Sequence, residues 1–116
     1  TAGLPVVLLS PGETSHDGIT VFYEDQELGA RLATRHLVQL GHRQVAHLAG
    51  NQEWLDGQVR LRGWQAELRA HGLPAPAVQY GDWTGEGAYR IGRRMVAAGL
   101  PGSIFIASDL MALGLP

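Results

Sequence analysis

The sequence predicts an α/β fold with a mostly parallel, doubly wound sheet, and three observations support this prediction. Short apolar runs alternate with segments whose apolar residues recur at helical spacing. The turns that separate them are short and contain glycine. The resulting order is strand, strand, helix, strand, helix, strand, helix, strand and the start of a helix. This alternation implies parallel strands, right-handed crossovers and helices on both faces of the sheet.

The chain is predicted to begin with two short strands. The run from Leu4 to Leu9 suits a strand buried on both faces, and the loop-forming sequence Ser10-Pro11-Gly12 closes it. The segment from Ile19 to Tyr23 is rich in β-branched and aromatic residues, which favours a second strand.

A helix is predicted from Asp25 onward, because the spacing of apolar residues changes there. Asp25 is a suitable N-terminal cap, and Gly41 stands where a left-handed C-terminal residue is common. Glu27 and Arg31 lie four residues apart, which predicts a weak ion pair on the solvent side. The apolar residues at helical spacing are Leu28, Leu32, Leu37 and Leu40.

Another strand and helix follow at once. The strand from Val45 to Ala49 ends at Gly50, and the helix begins near Asp56 and stops before Gly72. The spacing along this helix places three large apolar residues on one face, namely Leu61, Trp64 and Leu68.

The last part of the chain repeats this pattern. A strand from Ala77 to Tyr80 leads to a helix that is capped by Thr84 and ends at Gly99. Ser103 to Ala107 forms the last strand, and Ser108-Asp109 caps a final helix. The helix between these strands is predicted to bury Ala88, Ile91 and Met95.

Composition narrows the class of protein. The 116 residues predict one small domain or a fragment of a larger core. All nine basic residues are arginine, and eleven acids give a net charge of −2, which argues against direct binding of a phosphate backbone. There is no cysteine, no 18-residue apolar span and no basic leader with an apolar run. We therefore expect a soluble cytoplasmic chain that contacts no membrane.

The motifs argue against catalytic and cofactor sites. Residues 50–57 have a Gly-x6-Gly spacing without the lysine and hydroxyl of a phosphate loop, and "GEGAYR" lacks the third glycine of a dinucleotide-binding loop. The five histidines lack the spacing of zinc ligands, and no serine stands in a nucleophile elbow. His47 alternates with apolar neighbours, which predicts an interior, hydrogen-bonded residue. We expect no metal, no cofactor and no enzymatic activity.

The fold class directs the search for a ligand site to the carboxyl ends of the strands. Arg60 lies near the start of a helix that follows one such end, and its guanidinium suits sugar hydroxyls or a carboxylate. From the pattern alone, a solvated arginine is favoured. Trp83 follows another strand, where its ring stacks on a ligand or covers the edge of the core. The loops in question follow Leu9, Ala49, Tyr80 and Ala107.

Four ordered segments carry a resemblance to a known family. "GARLATRHLVQLGHRQVAHLAG" (29–50), "RLRGWQAEL" (60–68), "GDW" (81–83) and "ASDLMALG" (107–114) closely resemble the effector-binding core of bacterial transcription regulators of the lactose and galactose repressor (LacI/GalR) family, especially its lactose-repressor branch. The resemblance extends over roughly residues 5–114.

This resemblance implies a periplasmic-binding-protein-like type I fold, in which two α/β lobes close on a small ligand. Residues 1–43 would form the end of the N-terminal lobe and residues 44–116 the first half of the C-terminal lobe. The chain would then be a central fragment with an incomplete sheet. Family members also form dimers and carry an N-terminal helix-turn-helix headpiece, which the resemblance places before the residues matched here.

The resemblance also implies residues that bind the ligand. By position, Arg60 matches the family arginine that hydrogen-bonds the effector, and Trp83 matches the aromatic residue that stacks on it. Trp54 and Asp56 align with a segment that contacts the effector in some members, and Glu13 falls near a polar contact after a strand of the first lobe.

Two further positions lie at the last strand end. Ser108 stands where many sugar-responsive members have an asparagine, so the resemblance implies a contact that lacks an amide. Asp109 is expected to cap the last helix and to complement its dipole.

The predicted function is therefore the effector-sensing domain of a LacI/GalR-type regulator. It would bind a sugar or sugar-like molecule, form a homodimer and reach operator DNA only through a separate headpiece. One alternative is a sugar-binding protein for transport or chemotaxis with the same fold, which would need a secretion signal instead of a headpiece. A small doubly wound enzyme is the other alternative, and catalytic turnover in a substrate screen would favour it.

Overall fold

In the computed structural model, residues 6–10, 19–23, 25–99 and 102–115 are described, and they form alternating strands and helices. The elements are β1 (Val6–Ser10), β2 (Ile19–Tyr23), α1 (Gln26–Gln39), β3 (Val45–Ala49), α2 (Leu55–Ala70), β4 (Gln79–Tyr80), α3 (Gly85–Ala98), β5 (Ser103–Ile106) and α4 (Asp109–Gly114). The predicted α/β class and the predicted order of elements are confirmed.

The described strands pair in parallel throughout. β1 and β2 form a two-stranded sheet in which Val6 is opposite Ile19. β4, β3 and β5 form a three-stranded sheet in that order, with Leu48 of β3 opposite both Gln79 and Ile106. The central strand β3 is buried along its whole length. Such burial on both faces is what a parallel sheet covered by helices requires.

The two faces of β3 belong to two different apolar clusters. Val45 packs with Trp64 and Leu68 of α2 on one face. Leu48, on the opposite face of the pleat, packs with residues of α3 and α4, namely Ala88, Ile91 and Met111. The predicted buried faces of α2 and α3 are therefore confirmed, and helices cover both sides of the sheet as in a doubly wound fold.

Helix α1 approaches α2 through small residues, and of its spaced leucines only Leu37 packs against the cluster of Val45, Trp64 and Leu68. Ala30 and Thr34 are its buried residues, whereas Leu28, Leu32 and Leu40 are 48%, 50% and 63% exposed. The reason is close approach: a Cβ added at Gly63 of α2 would lie 2.6 Å from the Glu27 carbonyl oxygen. Bulky side chains do not fit at this distance. The leucine spacing therefore predicted the helix correctly, but it does not mark the residues that are buried against α2.

The predicted ion pair between Glu27 and Arg31 on the solvent side is also wrong. Arg31 Nε instead donates a hydrogen bond of 3.0 Å to Glu67 Oε1 of α2. Arg35 donates two more hydrogen bonds to the same carboxylate, and His71 Nε2 lies 2.8 Å from Glu67 Oε2. Glu67 is only 2% exposed, so this polar cluster ties α1 to α2.

Helix caps and strand ends differ from expectation in detail. Asp25 caps α1 by accepting from the Leu28 amide, and Thr84 caps α3 by accepting from the Gly87 amide, as predicted. At α4, however, Ser108 accepts the hydrogen bond from the Met111 amide, so Asp109 is the first helical residue and not the cap.

Four predicted boundaries also shift. β4 is shorter than the predicted Ala77 to Tyr80, and α2 begins at Leu55, one residue before the predicted start. β5 ends at Ile106, one residue before the predicted end. Of the first predicted strand, residues 4 and 5 lie outside the described residues, and Ser10, predicted to close it, belongs to β1.

Substituting Gly63 by alanine is expected to lower the free energy of unfolding by about 1–3 kcal/mol. The added methyl would lie 2.6 Å from the Glu27 oxygen and 2.7 Å from Ala30 Cβ, so α1 must move away from α2. Gly29→Ala is the matched control: nothing lies within 4 Å of its added Cβ, and alanine favours a helix by up to about 1 kcal/mol. Urea denaturation measures both, and equal stability of the two variants would disprove the close packing of α1 on α2.

Candidate functional site

The loops after β3, β4 and β5 meet around the side chain of Arg60. Its Nη1 donates a 2.6 Å hydrogen bond to the carbonyl oxygen of Ala107, just beyond β5. Its Cζ lies 5.7 Å from the centre of the Trp83 ring, which follows β4. Its Nη2 is 3.9 Å from Asp56 Oδ2, one turn earlier on α2. Because carboxyl ends of parallel strands share one edge of a sheet, residues far apart in sequence converge there.

Arg60 is held in place on several sides. Besides Ala107 and Asp56, Gln26 at the start of α1 accepts a 2.9 Å hydrogen bond from Arg60 Nε. The side chain is 22% exposed. The alternative of a solvated arginine is therefore wrong, and the guanidinium occupies a fixed position at the mouth of the sheet.

The backbone of Trp83 adopts an uncommon conformation that places its ring. Its φ is 70°, in the left-handed region that bulky residues rarely occupy. The ring covers Gly50, where any added Cβ would overlap the indole. Trp83 also packs against the apolar cluster of Leu48 and Met111, so it covers the core edge as one alternative predicted. Conformations of this kind cost about 1–3 kcal/mol and are concentrated at functional sites.

A cavity of about 230 Å³ lies beside this ring, lined by Trp54, Asp56 and Trp83. The Trp54 side chain is 64% exposed. Asp56 Oδ1 is buried and has no hydrogen-bond partner within the described part of the chain. The cavity thus combines two aromatic side chains with an acidic one, and three of the residues singled out from the sequence form it.

A second cavity, of about 210 Å³, lies on the other side of Arg60. Gln26 lines it, and this residue was missed by the sequence analysis. The only signal for Gln26 was its place directly after the Asp25 cap, which is too common to single it out. The full lining consists of Asp25, Gln26, Gly29, Ala30, Arg60, Phe105 and Ala107.

The two remaining predicted site residues, Ser108 and Glu13, are not placed at the cavity by the described structure. Ser108 directly follows Ala107, and its Oγ accepts the 3.3 Å hydrogen bond that caps α4. It does not line the cavity of Trp54, Asp56 and Trp83. Glu13 lies outside the residues that the structure describes. The structure therefore brings Arg60, Trp83 and Asp56 together, with Trp54 at the rim.

His47 is an interior residue, as predicted. It is fully buried, and its ring stacks between Trp64 and Phe105 with centroid distances of 5.2 and 4.8 Å. Burial lowers the pKa of His47 to about 4, although the hydrogen bond to the Phe105 carbonyl opposes this shift. The ring is therefore neutral at pH 7, and Nδ1 donates to that carbonyl over 2.9 Å.

Within the described ranges, no group of three or more histidine, cysteine, aspartate or glutamate residues could hold a metal ion. No described helix is long and apolar enough to cross a membrane. A surface cavity of about 650 Å³ lies along α3. The exposed ion pair of Arg90 with Glu86 borders it, and none of the predicted site residues lines it.

The sequence matches a family model over residues 1–115, described as periplasmic binding proteins and sugar binding domain of LacI family. The lactose operon repressor of Escherichia coli (strain K12) is 35% identical over 103 residues, which are 88% of this chain and 28% of the repressor. The transcriptional regulator CelR of Thermobifida fusca is 38% identical over 88 residues, which are 73% of this chain and 26% of the regulator. The chain thus spans between 26% and 28% of the length of these relatives.

Solved structures show the same fold. A dimeric Lac repressor with an 11-residue C-terminal deletion has a TM-score of 0.82 and 32% identity, with coverage of 97% of this chain and 41% of that one. A Lac repressor dimer bound to operator and the anti-inducer ONPF has a TM-score of 0.79 and 32% identity, with coverage of 97% and 39%. The described fold is therefore of the periplasmic-binding-protein type.

Proposed function

The chain belongs to the family of periplasmic binding proteins and LacI-type sugar-binding domains, and we propose from this that it is the effector-sensing part of a bacterial transcription regulator. Its effector is a small sugar or sugar-like molecule. The similar curated proteins are named as repressors or transcriptional regulators, which favours a regulator over a transport protein and a binding site over a catalytic one.

One observation carries this proposal: the fixed Arg60 guanidinium lies over the Trp83 ring at the carboxyl ends of three parallel strands. A guanidinium offers several directed donors, and an indole offers a flat apolar face. Together they suit a ring that carries hydroxyl groups. Arg60, Trp83, Trp54 and Asp56 are the proposed ligand contacts, with Ser108 and Glu13 as further proposed contacts at the rim.

The proposed mechanism is a shift between two arrangements of the lobes. An effector that binds one arrangement more tightly raises its population, by no more than the difference in the two affinities. In the full-length protein this change would reach operator DNA through a separate headpiece. No residue of this chain needs to touch DNA, in keeping with its net charge of −2.

A homodimer in the cytoplasm is part of the proposal. A similar solved Lac repressor is described as dimeric. In this chain, Leu110 and Leu113 of α4 are 60% and 84% exposed, and a second copy of the protein would cover this apolar surface.

The division into lobes at residues 43 and 44 remains a prediction, and the packing of α1 bears on it. α1 shares the buried carboxylate of Glu67 with α2, and its Thr34 is fully buried. α1 also supplies Gln26 to the Arg60 site on the second sheet. We therefore propose that the second lobe includes α1 and that the crossing lies before Asp25.

Replacing Arg60 by alanine in the full-length protein is expected to weaken effector binding by about 1.5–3 kcal/mol, which is roughly 10- to 150-fold. The variant loses charge-assisted hydrogen bonds and the support of the Trp83 ring. Arg62→Ala is the control, because Arg62 lies two residues further along the same helix and is exposed. Calorimetry with an effector found by a thermal-shift screen gives both affinities. Unchanged effector affinity in the Arg60 variant would disprove the proposed role of Arg60. If the effector does not change the affinity of the full-length protein for operator DNA, the proposed regulatory function is wrong.

A further inference from the structure

A groove runs between α3 and the segment that contains β4. It consists of the cavity of about 650 Å³ and a second cavity of about 330 Å³, which adjoin each other because Arg94 lines both. None of the proposed effector contacts that the structure describes lines either cavity. We call this surface the α3 groove, and its charged and aromatic residues are Tyr80, Asp82, Tyr89, Arg90, Arg93 and Arg94.

The α3 groove is basic, although the chain as a whole is acidic. Three of the nine arginines line it, whereas the net charge of the chain is −2. Asp82 is its one acidic lining residue among those the structure describes, and this carboxylate already accepts hydrogen bonds from the amide and the hydroxyl of Thr84. The excess of positive charge attracts an anionic partner.

The guanidinium groups of the α3 groove are weakly engaged within the protein. Arg90 pairs with Glu86 over 3.3 Å, but their side chains are 64% and 85% exposed, and such pairs contribute little to stability. Arg93 lies 5.9 Å from the centre of the Tyr89 ring. Arg94 has no ion pair or hydrogen bond within the described part of the chain. Since Arg90 and Arg94 are one turn apart and repel each other, an occupant that carries carboxylates would relieve this repulsion and use the free donors.

The dimensions of the α3 groove fit an extended peptide. α3 has 14 residues and is therefore about 20 Å long, a distance that about six residues of an extended chain span. Arg90 and Arg94 are about 6 Å apart along the helix axis, close to the spacing of about 6.7 Å between alternate side chains of a strand. Carboxylates at every second position of such a peptide can therefore reach both arginines.

Other anionic occupants fit this surface less well. Tyr80 and Tyr89 are 58% and 44% exposed, so a small ligand would remain largely in water, whereas small-molecule sites bury most of their ligand. A long polyanion such as a nucleic acid would extend beyond the groove, over a surface whose net charge is negative.

We propose that the α3 groove binds a short acidic peptide segment of a partner protein. Its carboxylates pair with Arg90, Arg93 and Arg94, and its apolar atoms pack against the rings of Tyr80 and Tyr89. The surface is distinct from the effector site, so this proposal does not depend on which effector the protein binds.

The test measures the binding of defined peptides to the full-length protein by fluorescence anisotropy. The probes are labelled peptides of six residues in which glutamate, glutamine or lysine alternates with alanine. We expect the glutamate peptide to bind at least about tenfold more tightly than the other two, and its affinity to fall as the salt concentration rises. Equal affinities of the glutamate and glutamine peptides overturn the inference.

The double variant Arg90→Gln, Arg94→Gln provides the second arm. It removes two of the three guanidinium groups, so the glutamate peptide should bind about tenfold or more weakly. The matched control is the double variant Arg62→Gln, Arg69→Gln, because these arginines are exposed on α2 and the change in charge is identical. All four positions are exposed, so both proteins should fold as the wild type does. Unchanged affinity in the first variant, or an equal loss in both, overturns the inference.

Tyr80→Ala distinguishes a groove from a merely charged surface. Removing this ring leaves every charge in place and takes away one wall, so the glutamate peptide should bind about threefold or more weakly. Unchanged affinity in this variant would mean that the peptide does not lie in the groove, and it overturns the inference.

The same double variant of Arg90 and Arg94 tests the remaining occupants. We expect its oligomeric state in analytical ultracentrifugation to equal that of the wild type. If it dissociates into smaller species, a second copy of the chain covers the groove and the inference is wrong. If it loses more affinity for a thymidine oligonucleotide than for the glutamate peptide, the groove binds nucleic acid and the inference is also wrong.

Discussion

Replacing Trp64 by alanine is expected to lower the free energy of unfolding by about 3–5 kcal/mol, the usual range for removing a large buried aromatic side chain. Trp64 is fully buried between α2 and the sheet, in the cluster of Val45 and Leu68. Its indole N–H donates a 3.0 Å hydrogen bond to the Val45 carbonyl, and its ring stacks on His47. The variant therefore loses apolar burial, one buried hydrogen bond and the packing of a neutral histidine.

Trp54→Ala is the matched control for this prediction. The same side chain is removed, but Trp54 is 64% exposed and precedes α2 as a cap residue without a side-chain hydrogen bond. Its removal should change stability by no more than about 0.5 kcal/mol. Urea denaturation measures both free energies of unfolding. It is followed by circular dichroism, because each variant lacks a tryptophan and therefore differs in fluorescence from the wild type. A cost below about 1 kcal/mol for Trp64→Ala would show that the core does not depend on this side chain.

Helical spacing predicted both α1 and α2, but it coincides with the buried face only in α2, and packing explains the difference. In α2, Trp64 and Leu68 contact the sheet directly, so apolar periodicity and burial coincide. In α1, the contact with α2 is set by how closely two backbones approach at Gly63. Gly63 is more than thirty positions away in sequence, so the leucine spacing within α1 carries no information on how closely the two helices approach.

The candidate site likewise has one part that the sequence predicts and one part that it does not. The loops that hold it were predictable, because parallel strands bring their carboxyl ends to one edge. The position of Arg60 was not, since it depends on Gln26 and on the Ala107 carbonyl, which are 34 and 47 residues away in sequence. A backbone carbonyl leaves no trace in a residue pattern. The resemblance to a family predicted Arg60 as a ligand contact, and the hydrogen bonds show what holds its side chain in place.

Replacing Glu67 by glutamine is expected to destabilise the protein by about 2–3 kcal/mol at neutral pH. Glu67 is 2% exposed and accepts hydrogen bonds from Arg31 and Arg35, with His71 at 2.8 Å. An amide keeps the shape but loses the charge that these partners need. The arginine side chains are 38% and 39% exposed, so water offsets part of the loss and the effect stays below that of a fully buried pair. Glu86→Gln is the control, because the 85% exposed Glu86 pairs only with the exposed Arg90, and its loss should cost less than about 0.5 kcal/mol.

The same carboxylate predicts how this difference depends on pH. Hydrogen bonding from Arg35, with smaller contributions from Arg31 and His71, lowers the pKa of Glu67 from 4.5 to about 2 against the opposing effect of burial. A group whose pKa is lower in the folded state stabilises the fold above its unfolded pKa, and this stabilisation is lost as protons bind. The stability gap between the wild type and Glu67→Gln should therefore be constant above about pH 5 and shrink as the pH falls from about 4.5 toward 2. Urea titrations at several pH values in this window measure the gap, and a gap that stays constant down to pH 2.5 would mean that the carboxylate does not hold α1 to α2 by its charge.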